Sequence, residues 1–129
     1  DRNGYLLGTD FLSFWAVGEV LLAGGNAYDT AAHIAAQRDL YAGHSGYTAF
    51  FYPPPFLLAC APLGLLGYFP ALGLWLAGTG AAFVAALRPW LRGLSGRQLA
   101  LVLAAFPAVL LTITHGQTSF LAAALLGGA

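Results

Sequence analysis

Hydrophobic and polar positions fall into blocks along this chain. The first fifty or so residues mix short apolar runs with Gly, Asp, Asn and Ser, whereas from Phe69 onward long apolar runs are broken only by RPWLRGLSGRQ and HGQTS. The blocks read as helices. DFLSFWAVGEVLL forms the first, with Thr9 or Asp10 as its N-cap, because a side-chain oxygen there accepts orphan backbone N–H groups. Gly24-Gly25 ends it with the left-handed residue that helix C-termini favour. It is too short, and Glu19 too central, for a membrane span. The expectation is a helix lying along the interface with Phe11, Phe14 and Trp15 in the lipid boundary. A second short helix is predicted over Thr30 to Tyr41, capped by Asp29, with Ala31, Ala32, Ile34 and Ala35 on one side and Gln37, Arg38 and Asp39 largely elsewhere. GHSGY then reads as a turn-rich loop.

Phe56 to Leu66 is apolar but short and is interrupted by Pro62, where a span needs about 20 residues. A juxtamembrane or re-entrant helix started by Pro54 or Pro55 is expected; a tilted span is the alternative. Phe69 to Leu87 carries no charge and is the clearest transmembrane helix, with Arg88, Trp90 and Arg92 anchoring its end. Leu99 to Thr114 is the next span. At about 1.5 Å per residue it covers roughly 24 Å, and Pro107 is expected to kink it. Phe120 begins a further apolar run. Gly73, Ala77, Ala81 and Ala85 form a stripe of small residues, as do Ala100, Ala104, Ala108 and Thr112, a spacing that lets helices approach closely in lipid.

Composition turns these helices into a class. Apolar residues make up 59% of the 129 and charged residues 8%, with a mean hydropathy of +0.73. Soluble domains carry about 25% charged residues, so the expectation is an all-α integral membrane helical bundle. Zero net charge gives no reason to expect nucleic acid as a partner. All five basic residues are Arg, a bias that suggests GC-rich coding and a bacterium. The single cysteine, Cys60, reads as a small buried hydrophobe. The chain starts on a polar stretch without Met and stops inside an apolar run, so a fragment of a longer multi-spanning protein is expected. Three parts are predicted. Residues 1–52 form a long extracytoplasmic loop with two interfacial helices, and residues 53–68 the Pro-rich juxtamembrane helix. Residues 69–129 hold spans at about 69–91, 98–115 and 118–129, the last cut short.

Arg88, Arg92 and Arg97 cluster in one short loop, which the positive-inside bias places in the cytoplasm. Phe69 and His115 then lie on the opposite face and, if residues 53–68 do not cross, so does Asp10. Two polar patches, one at Asp10 and one at His115-Gly-Gln, meet on one side of the membrane. Gly116 interrupts the helix beside His115, Gln117, Thr118 and Ser119, and such groups line either a wet cavity or a plain turn. Asp10 is either a helix cap or a general base held in a partly dry site. Arg38 meets a phosphate, or a headgroup, or pairs with Asp39 at the surface. His33, His44 and His115 lack metal-like spacing, and no Walker, GxGxxG or GxSxG motif occurs, so no metal or cofactor is assigned.

The order TDFLSFWAVGEVLLAGGNAYD, FFYPPPFLLACAPLGLLGYFPALGLWL, THGQTSFLAAALL resembles the N-terminal part of glycosyltransferase family 87, multi-spanning C-type enzymes that use polyprenyl-phosphate sugars. The resemblance implies transfer of a sugar, mannose before arabinofuranose, from a polyprenyl-phosphate donor to a glycan or glycolipid acceptor. It implies inversion at the anomeric centre, with the lipid-linked sugar as substrate, on the extracytoplasmic side of a bacterial inner (plasma) membrane. By position it makes Asp10 the catalytic base. It also sets Tyr52 to Pro54 and the Gly116-Gln117 pair in segments bordering the cavity, and by their chemistry His115 and Gln117 are expected, with Tyr52, to bind the substrate. Two rival readings from the residues alone are a transporter or flippase-like subunit, in which HGQTS lines a path, and a non-catalytic membrane scaffold.

Overall fold

The computed structural model describes residues 6–41 and 46–127. The turn expected over GHSGY and the last two residues of the final apolar run lie wholly or partly outside them, as does His44. The described residues are helical, with no strand among them. α1 spans Phe11–Leu22 and α2 Thr30–Leu40; a 3₁₀ turn at Pro54–Phe56 runs into α3, Leu57–Cys60, and a second 3₁₀ turn at Ala61–Leu65. α4 spans Tyr68–Leu87, α5 Gly96–Ala105, α6 Pro107–His115 and α7 Ser119–Gly127.

α1 is the centre of the fold. Every residue from Phe11 to Gly18 is buried, so Phe11, Phe14 and Trp15 lie in the protein core and not at a lipid boundary. The reason is visible in the sequence of the helix itself. A helix that is apolar on all sides has no polar face to offer water, and here α2, α3, α4 and the Ala61–Leu65 turn surround it. Trp15 donates its indole N–H to the Leu66 carbonyl at 2.9 Å, and the Tyr68 hydroxyl shares one proton between the carbonyls of Leu7 and Gly8 at 2.7 and 2.8 Å. Phe11, Phe14, Tyr68 and Trp75 meet at ring separations of 5.4–6.2 Å, in the tilted and edge-on arrangements that aromatic quadrupoles favour. α1 ends as its glycines suggest. Gly24 adopts φ +74°, with Gly24 N–H donating to Leu21 O and Gly25 N–H to Val20 O at 2.8 Å, the paired bonds of a Schellman terminus.

The first turn of α2 is closed by Asp29, whose carboxylate accepts from Ala31 N–H at 2.8 Å and Ala32 N–H at 3.4 Å. Its inward face is not the alanine side. Ala31 and Ala35 are exposed, whereas His33 and Gln37 are 1% exposed each, with His33 Nε2 against the Ala27 carbonyl and the Gln37 amide against the Thr48 backbone. Arg38 and Asp39 are exposed, and no ion pair joins them.

α4 is long and apolar enough to cross a membrane: its twenty residues rise about 30 Å, the thickness of a bilayer core. α5 and α6 together pass the same test but meet at 73°. Pro107 therefore breaks this segment instead of kinking it. Pro107 has no N–H to give to the preceding turn, and the residue before a proline is driven to extended backbone; Phe106 has φ −87° and ψ 113°. Neither small-residue stripe is a packing face within the described residues. Gly73, Ala77, Ala81 and Ala85 are exposed, and of the second stripe only Thr112 is buried. α4 meets α7 instead, through Gly80 and Phe83, where Phe83 and Phe120 stack at 5.2 Å.

Candidate active site

The turn before α1 and the turn after α6 are joined backbone to backbone. Gly8 N–H donates to Thr114 O and Asp10 N–H to His115 O, both at 2.9 Å. Gly116 makes the junction possible. It ends α6 with φ +67°, and a Cβ built there would lie 2.5 Å from the Phe11 Cβ. Both turns sit beside Tyr68, at the opposite end of α4 from Arg88.

Asp10 occupies the N-cap position of α1, but its side chain caps nothing. Its backbone is right-handed helical, φ −77° and ψ −34°, a geometry that turns the side chain away from the first N–H groups. The local capping bond runs the other way, with Ser13 Oγ donating to the Asp10 carbonyl at 2.9 Å. Among the described residues the carboxylate has no hydrogen bond or ion pair. It lines a cavity of about 220 Å³ together with Ser13, Phe14, Thr48, Ala49, Phe51 and Tyr52.

Tyr52 reaches this cavity from the segment after α2. Its ring stacks on Phe56 at 4.5 Å and meets the edge of Phe14 at 5.1 Å. Its hydroxyl lies 3.4 Å from Thr118 Oγ1, which ties it to the HGQTS turn. His115 and Gln117 do not line the cavity. His115 Nδ1 faces the Leu111 carbonyl at 3.0 Å. The Thr114 hydroxyl lies 3.1 Å from the same nitrogen. Gln117 Oε1 accepts from Ser119 Oγ at 3.3 Å. The structure thus brings Asp10 and Tyr52 into one cavity and sets His115 and Gln117 beside it. Among the described residues no three His, Cys, Asp or Glu side chains converge as metal ligands would.

Ser13, Thr48 and Gln37 belong to the site and were not singled out from the sequence. Ser13 was legible, one helical turn from Asp10. Gln37 was not. Its amide donates to Thr48 O at 2.7 Å and accepts from Thr48 N–H at 3.0 Å, holding the cavity-lining segment as a neighbouring strand would. His33, one turn earlier on α2, faces the Ala27 carbonyl through Nε2 at 3.0 Å, while its Nδ1 is buried without a partner. Burial lowers its pKa below the ordinary 6.5, against smaller raising effects from Ala27 O and the Asp29 charge. Between the lowered native value and 6.5 the unfolded chain binds more protons than the native one, so stability falls as pH drops below 6.5 and levels off below the native value. Thermal melting between pH 7.5 and 5 is expected to show this fall, and His33→Gln to flatten it.

Two features stand apart from this chemistry. Cys60 is fully buried, and burial pushes its thiol up to about 12, leaving it an inert packing group. A larger cavity of about 880 Å³ opens between α4 and α5 beside Arg88 and Arg92, lined by no acid or hydroxyl.

Comparison with known families supplies a class for the chain, that of the glycosyltransferases. The model of glycosyltransferase family 87 matches residues 50–129, and the chain belongs to that family. The matched segment contains Tyr52, His115 and Gln117; Asp10 precedes it. Neither the curated proteins nor the solved structures give a match.

Proposed function

We propose that this chain is part of an integral membrane helical bundle that transfers a sugar, mannose in the first instance, from a polyprenyl-phosphate donor to a glycan or glycolipid acceptor. The reaction inverts the anomeric centre and takes place on the extracytoplasmic side of a bacterial plasma membrane. The observation that carries the reading is the Asp10 carboxylate, without a partner among the described residues, in a cavity at the Tyr68 end of the apolar helix α4. A lipid-phosphate donor lies in the bilayer, so its transferase needs an open polar site at the end of a span and beside lipid. Asp10 takes the proton of the acceptor hydroxyl as that oxygen bonds to the anomeric carbon. The bond from this carbon to the phosphate oxygen breaks on the opposite side, and the lipid phosphate leaves with the electron pair. Tyr52, the His115 imidazole and the Gln117 amide hold sugar hydroxyls or the departing phosphate.

The test uses the full-length protein in proteoliposomes supplied with either a polyprenyl-phosphate sugar or the matching nucleotide sugar. Transfer to a glycan acceptor is expected from the lipid donor alone. Transfer from the nucleotide sugar in the absence of lipid donor would overturn the reading.

A further inference from the structure

A second cavity, of about 280 Å³, lies on the other side of the segment that walls the first. Ala49 and Phe51 line both. Its remaining walls include Tyr28, Thr30, His33 and Tyr47. Sites for drug-sized ligands occupy about 300–1,000 Å³, so this one suits a ligand of monosaccharide size. Its rim is aromatic and open to solvent: Phe51 is 89% exposed, Tyr28 48% and Tyr47 39%, next to Phe50 at 7%. The segment thus turns one phenylalanine into the core and presents the next to solvent. The Tyr28 ring is held in place, since its hydroxyl donates to Tyr52 O at 3.0 Å. The polar groups differ in reach. His33 is 1% exposed and its Nδ1 is closed off beneath the cavity, whereas the exposed Thr30 side chain adds a hydroxyl to the rim.

Exposed ring faces beside hydrogen-bonding groups fit a pyranose, which presents C–H bonds on one face and hydroxyls at its edge. We propose that the second cavity holds a sugar ring of the acceptor, adjacent to the unit whose hydroxyl is attacked at Asp10, with the ring against Tyr47 and Phe51 and a hydroxyl directed to Thr30. The proposal rests on the reading of the Asp10 cavity as the transfer site. The Gln37 clamp on Thr48 fixes the segment between the two cavities, so both sugar units would be registered by one piece of backbone.

The test is saturation-transfer NMR on the full-length protein in lipid nanodiscs, with methyl glycosides of mannose, glucose, galactose and arabinofuranose as probes. At least one is expected to bind the native protein and the Asp10→Asn variant alike, and to bind about fivefold more weakly after Tyr47→Ala or Phe51→Ala. Both side chains are exposed enough to be truncated without emptying the core, and Tyr47 lines only the second cavity. Absence of binding by every glycoside, or binding unchanged in Tyr47→Ala, would overturn the proposal. So would a Phe51→Ala protein with native glycoside binding. Failure of the Asp10 reading is separate: it appears as retained sugar transfer in Asp10→Asn.

Discussion

Replacing Asp10 by asparagine in the full-length protein is expected to reduce sugar transfer by about 10²–10⁴-fold, the range a positioned general base supplies, with thermal stability unchanged. The two halves of this result belong together. A carboxylate that caps a helix contributes about 0.5–2 kcal/mol, lost on substitution by alanine. The Asp10 side chain accepts no backbone N–H, and Ser13 satisfies the carbonyl of the same residue. The fold therefore gains little from the carboxylate, and its placement in the cavity with Tyr52 and Thr48 asks for a chemical reason. Asparagine keeps the shape and removes the proton acceptor. Measured turnover alongside a melting curve separates the readings. Unchanged transfer removes the base assignment, whereas lost transfer accompanied by a lowered melting temperature returns Asp10 to a structural role.

The parts of this fold that were legible in the sequence are those decided within one helical turn. The Asp29 cap and the Gly24 terminus depend on a side-chain oxygen and on one left-handed residue, and both lie where residue chemistry alone put them. The surroundings of α1 were not legible. Phe11, Phe14 and Trp15 suit a lipid boundary and a protein core equally by composition, and only the return of residues 54–68 across the helix makes them core. The site divides the same way. Asp10 and the HGQ turn were expected on one face from the distribution of arginines, and they meet, but through main-chain hydrogen bonds that no side-chain pattern encodes. Gln37 and Thr48 form another such contact: the clamp depends on where the chain returns after α2, and a glutamine on a short helix gives no sign of it.

The glycine pair at the heart of the fold leads to the second large effect, Gly64→Ala, which is expected to destabilise the protein by at least about 3 kcal/mol, the upper range for overpacking a well-packed core. Gly18 of α1 and Gly64 of the turn after α3 press backbone against backbone. A Cβ on Gly64 would overlap the Gly18 carbonyl carbon and lie 2.7 Å from Glu19 N; one on Gly18 would lie 2.6 Å from both Cys60 O and Gly64 N. The nearest neighbours are main-chain atoms on both sides, so no rotamer change relieves the overlap and the two elements must move apart. Trp15 would then lose its bond to Leu66 O, and the start of α4, held to the Leu7 and Gly8 carbonyls by Tyr68, would be displaced from the Asp10 turn. Gly73→Ala is the matched control, since nothing lies within 4 Å of a Cβ there. The full-length protein in detergent should melt well below native in Gly64→Ala and Gly18→Ala and near native in Gly73→Ala, with transfer activity following the melting order. Melting of Gly64→Ala within about 2 °C of native would mean that the two backbones do not approach this closely.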